Sequence, residues 1–153
     1  MTAVPWSLAL RDIPRPDFAE ATIVAIAPSG SVDPAAWARR IFDARTIPRW
    51  VVAALGLRQL VVPLVGIARA PRDVFRIHEV HDDEVLIVAD DTHLDFRCAI
   101  AVDEGMRLLR VTTTVRLHGW RGRLYFWPVR IAHPVVMRSM IAAAAKSFDR
   151  TQF

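Results

Sequence analysis

His78 and Glu79 are adjacent in a strand-like run, so one of them must face the apolar side of the sheet that this run joins. Phe75 and Ile77 share the parity of Glu79, and Val74 and Val80 share that of His78. A polar group on an apolar face needs a partner and can acquire a shifted pKa, as a general base or a ligand anchor requires. The plainer outcome is a hydrogen-bonded core histidine or a rim glutamate. Tyr125, Trp127, Arg130 and His133 form a second set. Arg130 and His133 are three residues apart and are neighbours if the segment is helical. Polar groups there would orient a ligand between apolar walls. They lie beside the Trp127/Ile131 stripe rather than within it, so solvent exposure competes with that role.

A third set is His93, Asp95 and Arg97, with Thr114 and Arg116 facing them. An aspartate can orient a histidine and an arginine can hold an anion. The same residues also make a cross-strand charge ladder on a wet sheet face, or a surface for a second copy. The opposite parity is apolar, and that alternation favours the ladder. Cys98 falls on the apolar parity and reads as a small core hydrophobe, with no base beside it to make a nucleophile. The histidines lack zinc-ligand spacing, and there is no glycine-rich phosphate loop. No metal and no cofactor is expected.

The elements that hold these residues can be read from periodicity. Residues 1–20 carry scattered prolines and read as an extended arm. Thr22 to Ala27 is a β-branched run ended by Pro28-Ser29-Gly30. Asp33-Pro34 starts a helix, with Trp37, Ala38, Ile41 and Phe42 on its apolar face and Arg39, Arg40 and Asp43 on the wet one. Pro48 opens a second helix through Trp50, Ala54, Leu57, Val61 and Leu64. Val74 to Val80 and Glu84 to Ala89 flank a turn at Asp82-Asp83.

Leu94, Phe96, Cys98, Ile100 and Val102 alternate with polar or small residues. So do Leu109, Val111, Thr113, Val115 and Leu117 after Asp103-Glu104-Gly105. Folding about that turn sets Phe96 across from Thr113, Leu94 across from Val115, Asp95 across from Thr114 and His93 across from Arg116. One face is then apolar in both strands. Beyond Gly119 and Gly122 the period becomes helical. Leu124, Trp127, Ile131, Val135, Ile141 and Ala145 mark one stripe running to about Phe148, with kinks expected at Pro128 and Pro134. Trp6, Trp37, Trp50, Trp120 and Trp127 are expected in the core or a cavity wall.

Composition sets the outer bounds. The chain has 153 residues, 53% of them hydrophobic, which suits one α+β domain over 1–153 and excludes a disordered chain. A lone cysteine and no basic-then-apolar leader suggest a cytoplasmic protein. Segments 50–68 and 126–145 are apolar but carry internal charges, each costing roughly 2.5–3.5 kcal/mol at a bilayer centre, so no membrane span is expected. Net charge is +4, and Lys146 is the only lysine. That surplus weakly favours phosphate or an anionic membrane, but the arginines form no stripe along the sequence, which argues against nucleic acid.

Asp91-Thr92-His93-Leu94-Asp95-Phe96-Arg97 carries a resemblance. With it go Leu117-His118, Gly122-Arg123-Leu124-Tyr125, Arg130, His133 and Arg138-Ser139-Met140. Together they resemble a bacterial family of uncharacterised domains in the START-like, helix-grip superfamily, over roughly residues 17–145. The resemblance implies a strand, two helices, a curved antiparallel sheet and a long C-terminal helix closing a cavity. Superfamily members are associated with lipids, steroids and polyketides, and some act as cyclases or hydratases. The family has no established activity, so no catalytic residue carries over. Ile131-Ala132 departs from the usual Pro-Phe of the last helix. The reading of this sequence is thus a pocket for a hydrophobic small molecule or lipid, lined by His78, Glu79, Phe96, Thr113, Tyr125, Trp127, Arg130 and His133. The alternatives are an enzyme using the same pocket, or an interaction module, possibly a homodimer, acting through the polar sheet face.

Overall fold

A computed structural model describes residues 6–54 and 75–150, without the side chain of Arg150. The element order is helix α1 (Leu8–Asp12), strand β1 (Phe18–Ala25), helix α2 (Pro34–Ile41), a helical segment over 49–54 (α3), and strands β2 (Ile77–Val80), β3 (Glu84–Asp90), β4 (Leu94–Asp103) and β5 (Leu108–Leu117). The long helix α4 (Gly119–Arg150) follows. The five strands form one antiparallel sheet in the order β1-β5-β4-β3-β2. This is an α+β fold consistent with a helix grip. The part of the second helix expected beyond Ala54 lies outside the described residues.

The alternation places Phe96, Cys98, Ile100 and Val102 on the inner face with Val85, Ile87, Leu109 and Val111. Trp37, Ala38 and Ile41 of α2, Val51 of α3, and Met137, Met140, Ile141 and Ala144 of α4 pack on them. Asp33 caps α2, its Oδ1 accepting from the Ala35 amide at 2.8 Å, with Pro34 at the first helical position. Arg40 belongs to the packed side of α2 rather than the wet one. Its guanidinium lies 5.1 Å from the Phe148 ring centroid and donates to Ser147 Oγ.

The β4–β5 register is two residues away from the expected one. Phe96 pairs with Val115, Leu94 with Leu117, Asp95 with Arg116 and Arg97 with Thr114. The turn is the cause. Four residues, 104–107, close the hairpin; the Met106 amide donates to Asp103 Oδ1, and Arg107 adopts a positive φ of 53°. A shift of two keeps every side chain on its expected face, so the core assignment survives.

The outer face is not the wet surface expected. Residues 1–20 are not wholly extended either: Ser7 caps α1, and α1 lies on this face. Ala9, Leu86 and Ala99 are fully buried together, and Thr114 Oγ1 donates to the Ala9 carbonyl at 3.0 Å. The small residues Ala99, Ala101, Thr112 and Thr114 let the helix approach closely. Strand β1 begins four residues earlier than its β-branched run suggests, which brings Phe18 and Glu20 into the sheet.

Helix α4 is continuous through Pro128 and Pro134. The missing amides free the Leu124 and Arg130 carbonyls, and both residues are exposed, where water can donate instead. Its first turn is fixed by a close backbone contact. The His93 carbonyl accepts from the His118 amide at 2.7 Å, and a Cβ on Gly122 would meet that same oxygen at 2.4 Å. In a free helix Gly→Ala gains about 1 kcal/mol; here the clash opposes it. We expect Gly122→Ala to be destabilising by about 1–3 kcal/mol. Gly105→Ala meets nothing closer than 3.6 Å and serves as a near-neutral control. Thermal unfolding of both variants checks the sign.

Candidate functional site

Strand β1 is the sheet edge beneath the first half of α4, and its alternation sends Phe18, Glu20, Thr22 and Val24 inward. Across the inner face, Glu20 pairs in register with Thr113, and Thr113 with Cys98. Above this row, His133 of α4 meets the acid: Nδ1 and Glu20 Oε2 are 2.6 Å apart, each side chain only 14% exposed. Thr22 Oγ1 donates to the other carboxylate oxygen at 3.2 Å. The Phe18 ring stands edge-on to both the His133 imidazole, at 5.6 Å, and the Phe126 ring, at 5.2 Å. With the carboxylate ionised, Nδ1–H donates, and a neutral ring then carries its lone pair on Nε2.

The apolar wall around this pair is not uniformly closed. Val85, Ile100, Val102, Leu109 and Val111, towards the β4–β5 turn, are buried under the second half of α4 and under α2. Ala89, Leu94, Phe96 and Leu117, at the opposite end, are only half-buried, as are Tyr125 and Val129 of α4. Phe75 stacks on Phe42 and meets Phe96 edge-on at 6.1 Å. The Glu20–His133 pair stands where the wall passes from closed to half-open.

Cys98 lies beneath it, fully buried, with Thr113 beside it in register on β5. Burial pushes that thiol up to about 12; Thr113 opposes the shift and the charge of Glu20 adds to it. Such a group is no nucleophile.

The remaining candidates are dispersed. A β-bulge between Ile77 and Glu79 breaks the expected parity, leaving His78 exposed and turning Glu79 to the outer face, paired in register with Leu86. Neither residue faces inward. Glu79 takes a bidentate ion pair from Arg11 at 2.6 and 2.9 Å and a contact from His81 at 2.6 Å. The Arg11 and His81 hydrogen bonds hold its carboxyl down at about 2. Phe96 and Thr113 do lie on the inner face, and Tyr125 is half-buried. Trp127 and Arg130 are exposed.

The His93/Asp95/Arg97/Arg116 ladder is rearranged. Arg97 bonds Asp12 of α1 and Asp90 instead of Asp95. Asp95 takes His118 at 3.0 Å and lies opposite the exposed Arg116. His93 sits in the β3–β4 turn, its amide donating to Asp91. Sequence reasoning missed Glu20 and Glu84. Glu84 is buried on the outer face, accepting from Ser7 Oγ, the Leu8 amide and Arg110. The signal for Glu20 is its parity with Thr22 and Val24, visible only if the strand is extended back to Phe18.

Residues 13–140 match the model of a family described as "Protein of unknown function (DUF2867)", and the chain belongs to that family. No curated protein and no solved structure matches it.

The buried thiol gives a direct check on the site's floor. Cys98 is expected to resist a disulfide reagent at pH 8 in the folded protein and to react fully once unfolded. Its pKa rises from 9.0 to about 12 on folding, so the folded state holds the proton more tightly. That contribution is complete below pH 9 and is lost as pH rises towards 12. Rapid labelling of the native protein would contradict the burial.

Proposed function

We propose that this DUF2867-family chain binds an apolar small molecule bearing one polar group, between the inner sheet face and the first half of α4. The Glu20–His133 pair is the observation that carries the reading. A hydrogen-bonded acid–base pair at the half-open end of an apolar wall costs desolvation that a purely structural core would avoid by using apolar residues. It supplies an oriented acceptor or donor against which a hydroxyl or carbonyl can register, while Phe18, Leu94, Phe96 and Leu117 offer contacts to a hydrocarbon body. Thr113 and Tyr125 are the adjoining polar groups. The helix-grip arrangement, with the START-like resemblance of the His93–Arg97 string, supports a ligand-holding role, and a hydrophobic molecule or lipid is the class that these walls suit. A cytoplasmic setting fits the single reduced cysteine.

Acid–base catalysis in the same place is a second reading. It is favoured by the 2.6 Å contact between His133 Nδ1 and Glu20, the way a carboxylate orients a catalytic imidazole. His78 and Glu79 lend it nothing, because neither faces inward. Binding is the simpler conclusion, since it asks of the pair only orientation.

An apolar fluorophore, N-phenyl-1-naphthylamine, tests the reading. We expect saturable fluorescence enhancement, with displacement by both 1-decanol and decane. A hydrogen bond to a charged group is worth about 1.5–3 kcal/mol. Glu20→Ala and His133→Ala should therefore weaken 1-decanol by about tenfold or more and leave decane unchanged. Absence of saturable binding, or equal loss for both competitors, would sink the proposal.

A further inference from the structure

We infer that the outward side of α4 is a peripheral docking surface for an anionic lipid membrane. Trp120, Leu124, Trp127, Ile131 and Val135 are 58–69% exposed. Their spacing of four, three, four and four residues sets them within a sector of roughly 80° on a helix turning about 100° per residue. They form one apolar stripe about 22 Å long at about 1.5 Å per residue. Soluble surfaces seldom leave so many large apolar side chains in line without a binding role.

Charge selects the occupant. From Gly119 to Phe148 the sequence has no aspartate or glutamate, and Arg121, Arg123, Arg130, Arg138 and Lys146 are all exposed. At helical spacing Arg123 and Arg130 border one side of the stripe, Arg121 the other, and Arg138 its end. The Arg121 guanidinium lies 5.5 Å from the Trp120 ring centroid. An apolar strip whose charged neighbours along α4 are all cations complements acyl chains beneath a layer of anionic headgroups, and tryptophan suits that boundary. A second copy docked through the same face would set arginine against arginine. Single-stranded nucleic acid would use the tryptophans, but Leu124, Ile131 and Val135 have no ring on which a base can stack. No described helix is long and apolar enough to cross a membrane, so α4 lies along the surface rather than through it. This inference does not depend on the pocket proposed above.

Co-sedimentation of the full chain with phosphatidylcholine vesicles, with and without about 30% phosphatidylglycerol, provides the test. Partitioning is expected to need the anionic lipid and to fall with added salt. Arg123→Glu with Arg130→Glu should reduce it by roughly tenfold or more, and Trp127→Ser with Ile131→Ser should do likewise. Arg45→Glu, an exposed charge change away from α4, should leave it close to wild type. All these sites are exposed, and circular dichroism of each variant checks that it is folded. Three results would overturn the inference: no preference for the anionic vesicles, equal loss for Arg45→Glu, or absence of vesicle binding with the stripe variants instead abolishing self-association in sedimentation velocity or retention of oligouridine.

Discussion

Everything in this fold is organised by the two-residue period of β4 and β5, because that period decides which face of the sheet must be covered. Phe96, Cys98, Ile100 and Val102 cannot be left to water, so α2, α3 and the second half of α4 cover them. Each large aliphatic or aromatic side chain buried there contributes roughly 1.5–3 kcal/mol. A shift of one residue in either strand would carry the whole set outward. A shift of two costs no face, which explains how the register can differ from the simplest hairpin while the core stays as the alternation dictates.

The fold was legible to the extent that a single period dominated each segment. The α2 cap at Asp33-Pro34, the Asp82-Asp83 turn and the inner face of β4 and β5 all follow from local chemistry that no distant contact opposes. The β4–β5 turn was not legible. Its four-residue loop depends on Asp103 accepting from Met106 and on Arg107 adopting a positive φ, and neither is written in residue type alone. The outer face was misread for a related reason. Ala99, Ala101, Thr112 and Thr114 look weakly polar as a row, yet their small size is what admits α1. Size, not polarity, decided that surface.

The bulge at His78 illustrates a different limit. Parity arguments assume an unbroken strand, and one inserted residue between Ile77 and Glu79 reverses the assignment of everything beyond it. The reversal gives Glu79 to Arg11, ties α1 to the sheet edge through an alternating run of basic and acidic side chains (His81, Glu79, Arg11, Asp12, Arg97, Asp90), and leaves the inner face without the polar group expected there from His78 or Glu79. An acid comes instead from β1, where Glu20 faces His133. His133 was therefore visible as a candidate, while its partner was hidden by a strand boundary set four residues too late.

Helix α4 poses the hardest ambiguity, because its first half is apolar on two sides. Phe126, Val129, Val136 and Met137 form one face with His133 among them; Trp120, Leu124, Trp127, Ile131 and Val135 form the other. Helical periodicity counts both and cannot say which turns inward. The tighter constraint is steric: Gly122 must lie against the His93 carbonyl, and that contact fixes the rotation of the helix about its axis. Once Gly122 faces the sheet, Phe126, His133 and Met137 follow it at intervals of four, seven and four residues, and the tryptophan side has no choice but to face out. The rotation that joins His133 to Glu20 is thus the same one that exposes Trp127. The inner pair and the outer stripe are therefore two results of one backbone contact, and a change that loosened the contact at Gly122 would disturb both together.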